Sequence, residues 1–244
     1  MLLEARGVTK AFGAFKAVDN ATVGVREGEI LGLIGPNGAG KSTFFNCLTG
    51  DLPPTSGSID FQSQDVTRRP PEDRAALGIA RTFQVPLTFE GMTVLDNVMI
   101  GAFLRTPHRA EARDRARAVL DRVGLGPFAQ ASARSLGTPG RKRLEIARAL
   151  ATEPRVLLLD EAMAGLTPTE IRAAIDLVRK IHGTGVTLVI VEHIMEVIIT
   201  LADRVVCFHQ GRGIAMGTPA EVTRDPGVIE AYLGKRAARA AAAR

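Results

Sequence analysis

Apolar positions along this chain follow two rhythms. Continuous apolar runs occur at Glu29 to Ile34, Val156 to Leu159 and Thr187 to Val191. Short unbroken runs bounded by turn residues predict strands covered on both faces, as in a parallel sheet. Briefer strands are predicted at Leu2 to Val8, Ala21 to Val25, Ser58 to Phe61 and Ile79 to Phe83. Val205 to Phe208 and Gly213 to Met216 read as a strand pair around the Gln210-Gly211-Arg212 turn. Helical spacing alternates with these runs. It predicts helices over Thr43 to Thr49, Glu72 to Leu77, Val94 to Met99, Ala110 to Val123 and Arg141 to Ala151. In the last of these, Leu144, Ala147 and Leu150 share a face, Arg143, Glu145 and Arg148 lie elsewhere, and Pro154 prevents continuation. Thr167-Pro168-Thr169-Glu170 is a capping box with proline in the first turn, followed by an apolar stripe of Ile171, Ile175, Val178 and Ile181. A further helix runs through Leu201, and two small ones lie near Glu221 and Ile229. The pattern predicts an α/β chain: a core of residues 1–84 and 154–234, an inserted helical subdomain over 85–153, and a basic alanine-rich tail at 235–244.

Composition narrows the picture. The chain has 244 residues, 45% of them hydrophobic, enough for a substantial core, and its 23% charged residues are spread too evenly for global disorder. Part of the net charge of +5 sits in the tail, as Lys235, Arg236, Arg239 and Arg244. The tail reads as a frayed, solvated helix rather than a nucleic-acid contact. Cys47 and Cys207 lie far apart, without metal-ligand spacing, and read as small buried residues in a reduced compartment. No apolar run approaches bilayer length, and Met1 to Arg6 lacks the pattern of a signal peptide. The expectation is a cytosolic protein whose membrane role, if any, comes through a partner.

Gly35-Pro36-Asn37-Gly38-Ala39-Gly40-Lys41-Ser42-Thr43 carries the chemistry. It fits the P-loop pattern, between a predicted strand and a predicted helix. Glycines let successive N–H groups curl around an anion, and the helix N-terminus adds partial positive charge. Lys41 is expected to reach the outer phosphates, and the Ser42 hydroxyl to help hold Mg²⁺. Asp160 ends an apolar strand, at the edge where open α/β sheets place ligands, and is the candidate second metal ligand. Glu161, pointing elsewhere, is a candidate general base for water. Gln84 follows a buried strand and could reach a metal or a water, or simply end the strand. His193 follows another, and could bond a phosphate or the attacking water, or be structural. Phe12, beside Gly13, could stack on an adenine ring or be a core or hairpin aromatic.

Together these residues resemble the ATP-binding cassette family, over nearly the whole chain to about Gly234. The resemblance implies a P-loop NTPase with a RecA-like, mostly parallel sheet core, an antiparallel β subdomain and an inserted helical subdomain. It implies an ATPase with ATP and Mg²⁺ as ligands. Leu157 to Glu161 is similar to the Walker B segment with its catalytic glutamate, Gln84 to the Q-loop, His193 to the H-loop, and Phe12 to the adenine-stacking aromatic. Phe45 to Gly50, Arg81 to Gln84, and Gly217-Thr218-Pro219 through Ala231-Tyr232-Leu233-Gly234 are similar to the branched-chain amino acid importer subfamily. That implies a peripheral protein at the cytoplasmic face of the inner membrane, pairing with a second ATPase subunit (a heterodimer favoured, a homodimer possible). Its other partners would be two membrane permease subunits and, indirectly, a periplasmic solute-binding protein. Nucleic acid is not an expected partner. Branched-chain amino acids are the default solute. Two alternatives remain: a non-transport ABC ATPase, which would usually bring long coiled-coil inserts or a second cassette, and a mainly ATP-binding subunit, which Glu161 and His193 oppose.

The chain departs from the family at the signature. Leucine-serine-glycine-glycine-glutamine aligns with Leu136-Gly137-Thr138-Pro139-Gly140, which lacks the serine hydroxyl and, at Pro139, one N–H. This stretch is expected to face the ATP held by the other subunit. Ala162 replaces the usual proline after Glu161, and Thr167 replaces an acidic or amide residue.

Overall fold

The computed structural model describes residues 1–234; the basic tail at 235–244 lies outside the described residues. In chain order the elements are β1 (Leu3–Phe12), β2 (Phe15–Val25), β3 (Ile30–Ile34), α1 (Lys41–Thr49), β4 (Ser56–Phe61), β5 (Gln64–Asp65), α2 (Pro71–Leu77) and β6 (Ile79–Arg81). They continue with α3 (Val94–Ala102), α4 (Arg109–Arg122), α5 (Thr138–Leu150), β7 (Val156–Asp160), α6 (Pro168–His182), β8 (Thr187–Val191), α7 (Met195–Leu201), β9 (Arg204–His209), β10 (Arg212–Gly217), α8 (Pro219–Arg224) and α9 (Pro226–Leu233). The chain divides into two compact units, one of Met1–Pro71 with the chain from Thr187 onward, the other of Glu72–Val186.

The first unit holds an antiparallel sheet in the order β2-β1-β4-β5. The two short strands expected before the P-loop are one long hairpin, paired from Leu3↔Val25 to Phe12↔Phe15 with register shifts between. Gly13-Ala14 is its two-residue turn, and Gly13 takes the positive φ, 60°, that such turns favour. In the same unit β3 pairs parallel with β8 and with β9, and β9 pairs antiparallel with β10. All five residues of β3 are buried. At Gly32 an added Cβ would meet Ala202, Ile198 and Val205 at 3.3 Å, so glycine lets α7 lie directly on the strand. The Phe44 and Phe208 rings, 5.0 Å apart, join α1 to β9.

The second unit pairs β6 with β7 in parallel, Ile79 opposite Val156. Its helical part is built on α3, α4 and α5, with Val94, Leu95, Val98, Leu120, Leu144 and Ala147 buried. At Gly101 a Cβ would strike the Arg148 carbonyl, which explains a glycine where α3 meets α5. The expected capping box is present: Thr167 accepts from the Glu170 N–H, and Glu170 reaches back to the Thr167 N–H. Two of the boundary differences bear on the site. Helix α5 starts at Thr138 instead of Arg141, because Pro139 sits in the first turn, where its missing N–H has no intrahelical role. Strand β6 stops at Arg81, leaving Phe83 and Gln84 outside it. Among the described residues no helix is long and apolar enough to cross a membrane.

Candidate active site

The P-loop of the first unit runs from the end of β3 into α1. Three glycines shape it, with φ of 147° at Gly35, 77° at Gly38 and 97° at Gly40. At Gly35 a Cβ would strike the Phe208 carbonyl and at Gly40 the Ala17 carbonyl, so crowding as well as φ demands glycine at both. The space beside Gly38 is open, and there φ alone requires it. Ala39 is buried, Pro36 and Gly40 are half-buried, and Asn37, Gly38 and Ser42 face solvent. The first intrahelical bond of α1 runs from Phe44 N–H to Gly40 O at 2.9 Å. Helix geometry therefore leaves the N–H groups of Lys41, Ser42 and Thr43 without intrahelical acceptors, and no acidic side chain occupies that first turn. The result is a positive backbone end suited to an anion.

Lys41 is buried, and its Nζ donates to Gly35 O at 2.7 Å and to Pro36 O at 3.0 Å. A buried ammonium is costly without such bonds, and an anionic phosphate is a stronger acceptor than a neutral carbonyl. The same unit carries Phe12 and His193. Phe12 is 50% exposed at the hairpin tip, with Lys10 Nζ 5.3 Å from its ring centre; it is therefore no core aromatic. His193 lies two residues beyond β8, exposed, before α7.

The second unit gathers the acidic residues. Asp160 ends β7, buried, and pairs with Arg81 at 3.3 Å, while its N–H donates to the Thr82 hydroxyl at 3.2 Å. Arg81 also lies 4.4 Å from the Phe83 ring centre. Glu161 takes a positive φ of 47°, unusual for a side-chain-bearing residue. Its carbonyl accepts from Lys142 Nζ at 3.1 Å and from the Ala164 N–H at 3.1 Å. Its carboxylate Oε2 accepts from Gln84 Nε2 at 2.8 Å. Gln84 and Glu161 are thus partners through the amide nitrogen.

Leu136 is buried, Gly137 and Thr138 are exposed at the start of α5, and Pro139 and Gly140 are half-buried. A Cβ at Gly140 would come within 3.2 Å of Leu136, so this position suits a small residue. Arg141, in the first turn of α5, donates to Leu136 O at 3.0 Å and to Arg134 O at 3.2 Å.

The sequence pattern does not mark Glu145, nor the contacts of Arg81 and Lys142. Glu145, expected on the polar side of its helix, is buried and accepts the Phe83 N–H at 2.9 Å, just before Gln84. Burial holds its carboxyl above the ordinary range against the lowering by the Phe83 and Leu87 N–H groups. Lys142 and Arg81 are likewise drawn in. The one available signal was Arg81 preceding Gln84 by three residues; nothing in the spacing marked Glu145.

The donors proposed for Mg²⁺, the Ser42 hydroxyl, the Asp160 carboxylate and the Gln84 amide oxygen, are hard oxygen ligands of the kind the ion takes. Gln84 uses its nitrogen toward Glu161, so the oxygen is the opposite end of the amide. The donor set fits.

Residues 18–164 match the ABC transporter family model, and residues 214–238 match that of the branched-chain amino acid ATP-binding cassette transporter. The chain is 40% identical to the high-affinity branched-chain amino acid transport ATP-binding protein LivG of Salmonella typhimurium, over 96% of this chain and 98% of that protein. Among solved structures it resembles a nucleotide-free ATP-binding cassette from an ABC transporter (TM-score 0.88, 32% identity, 96% of this chain and 99% of that one). It also resembles an ATP-binding cassette in its ADP conformation (TM-score 0.87, 31% identity, again 96% and 99%). With a glycine cradle, a buried lysine and a strand-end acidic pair beside these matches, the chain belongs to the ATP-binding cassette family, as one of its ATP-binding and ATP-hydrolysing subunits.

Proposed function

We propose that this ATPase energises an importer of branched-chain amino acids or related small solutes. The observation that carries the solute class is the 40% identity across 96% of the chain to a protein named for branched-chain amino acid transport. The working partners are two membrane permeases, a second ATPase subunit and, indirectly, a periplasmic solute-binding protein, with the chain bound peripherally at the cytoplasmic face. Residues 85–153 serve as an inserted helical subdomain in a core of 1–84 and 154–234.

In this reading the N–H groups of residues 37–43 and the Lys41 ammonium bind the ATP phosphates, and Phe12 offers an exposed ring to the adenine. Ser42, Asp160 and Gln84 hold Mg²⁺, which when bound offsets charge on the phosphate oxygens. Glu161 takes the proton of the attacking water, and Gln84 orients its carboxylate. His193 bonds the terminal phosphate or that water. The partner subunit's signature segment completes this site, and Leu136, Gly137, Thr138, Pro139 and Gly140 face the ATP of the opposite one.

The test is reconstitution with the permeases, the second ATPase and the solute-binding protein, in vesicles loaded with ATP. Labelled leucine, isoleucine or valine should accumulate with the wild-type chain and fail to accumulate with Glu161→Gln. Uptake of none of the three, with ATP hydrolysis intact, would move the solute to another class.

A further inference from the structure

Helix α9 reaches the phosphate loop. Tyr232, on α9, accepts a hydrogen bond from the Gly35 N–H at 2.8 Å through its phenolic oxygen, across 197 residues of sequence. The other side of Gly35 is also held, since its carbonyl accepts from Lys41 Nζ at 2.7 Å. One glycine at φ 147° is therefore fixed at its N–H by Tyr232 and at its C=O by Lys41. These two bonds have different fates when nucleotide binds. Lys41 must exchange carbonyl acceptors for phosphate oxygens, which frees the Gly35 carbonyl. The Tyr232 bond is then the restraint left on the residue whose conformation starts the cradle.

Helix α9 is built to present that phenol. Asp225 caps it, accepting from Gly227 N–H at 2.8 Å and Val228 N–H at 3.0 Å. Val228 is buried, and Tyr232, four residues on, lies on the same face. The residue stays 44% exposed while its hydroxyl meets buried Gly35. Burial, with Cys207 nearby, raises the phenol above its ordinary value, so it remains a neutral hydroxyl at physiological pH.

We propose that Tyr232 is a positioning residue for ATP binding: its hydroxyl fixes the Gly35 peptide so that the loop keeps its anion-binding shape while Lys41 changes partners. This rests on residues 35–43 being the ATP phosphate loop.

The test is Tyr232→Phe, which removes one oxygen and keeps the ring, in the full chain. Three quantities are read: the ATP dissociation constant by calorimetric titration, the exchange rate of the Gly35 amide, and the KM and kcat of the assembled transporter. One net hydrogen bond is worth roughly a 2- to 10-fold change. Dissociation constant and KM should rise by that factor, kcat should move less, and the Gly35 amide should exchange faster. Leu233→Ser, an exposed neighbour on the same helix, should leave all of them unchanged. An unchanged dissociation constant in Tyr232→Phe, even with a lower melting temperature, would make the residue merely structural and overturn the proposal. Lys41→Ala separates the two readings. Wild-type ATP affinity in that variant would sink the phosphate-loop reading and the Tyr232 role with it. Weak binding there beside wild-type affinity in Tyr232→Phe would sink the Tyr232 role alone.

Discussion

Gln84 Nε2 donates to Glu161 Oε2 at 2.8 Å, across 77 residues of chain. The contact aims a carboxylate on a residue whose backbone is already special. A non-glycine residue at φ 47° costs about 1–3 kcal/mol and persists where its surroundings hold it. Here the Lys142 ammonium and the Ala164 N–H both bond the Glu161 carbonyl.

If Glu161 is the general base, Glu161→Gln should lower single-turnover hydrolysis by about 10²–10⁴-fold while leaving the ATP dissociation constant near wild type. Gln84→Ala removes only one aiming bond, and a loss of up to about tenfold is expected. Quench-flow measurement of both variants checks the order. A Gln84→Ala defect as deep as that of Glu161→Gln would show that Gln84 does more than aim the base.

The signature stretch makes a second expectation. If Leu136 to Gly140 faces an ATP held by a partner subunit, Pro139 gives it no N–H and Gly137 no hydroxyl, though Thr138 supplies one in the exposed first turn of α5. In a heterodimer, the site built on Lys41 and Glu161 of this chain should carry most of the turnover. Glu161→Gln in this chain alone should therefore cost far more ATPase activity than the equivalent change in the partner alone. Equal losses would refute the asymmetry, and so would robust ATPase activity in this protein by itself.

Glu145 should leave a pH signature on stability. Its carboxyl is held above the ordinary 4.5 mainly by burial, so the folded state binds its proton more tightly than the unfolded chain does. Its stabilising contribution is thus full below pH 4.5 and is lost as pH rises through the raised folded value. Glu145→Gln keeps an acceptor for the Phe83 N–H and has no proton to lose. The stability of wild type relative to this variant should fall as pH climbs from about 4 toward neutrality. Urea unfolding at several pH values measures the difference; a constant difference would contradict it.

Gly35→Ala should be severe. The new Cβ would meet the Phe208 carbonyl, at a φ of 147° that suits only glycine. The expected loss exceeds about 1–3 kcal/mol of stability, with ATP binding gone. Gly38→Ala meets no neighbouring atom and carries only the strain of its φ. It should fold with a smaller loss, and paired denaturation and nucleotide titrations distinguish the two.

Much of this protein was legible because its signals are local. Glycine spacing from Gly35 to Gly40, the Thr167–Glu170 capping box and the apolar runs of β3, β7 and β8 need only a few consecutive residues and the two periods of helix and strand. They placed the phosphate loop and the strand-end acids. Local pattern also fell short: the strands predicted at Leu2 to Val8 and Ala21 to Val25 are parts of one hairpin that pairs as far as Phe12 and Phe15. Glu145 lies off the apolar face of Leu144, Ala147 and Leu150 in the helical pattern, yet it is buried.

Which distant groups meet is settled by the folded chain alone. Arg81 pairs with Asp160 across 79 residues, Phe83 with Glu145 across 62, Gln84 with Glu161 across 77, and Gly35 with Tyr232 across 197. No period of 3.6 or 2 reaches that far. Such contacts arise where buried polar groups must find partners once the apolar faces have closed, and the chain order does not say which partners those are. Local pattern marks an anion-binding loop and two strand-end acids; folding brings Tyr232 to Gly35 and Gln84 to Glu161.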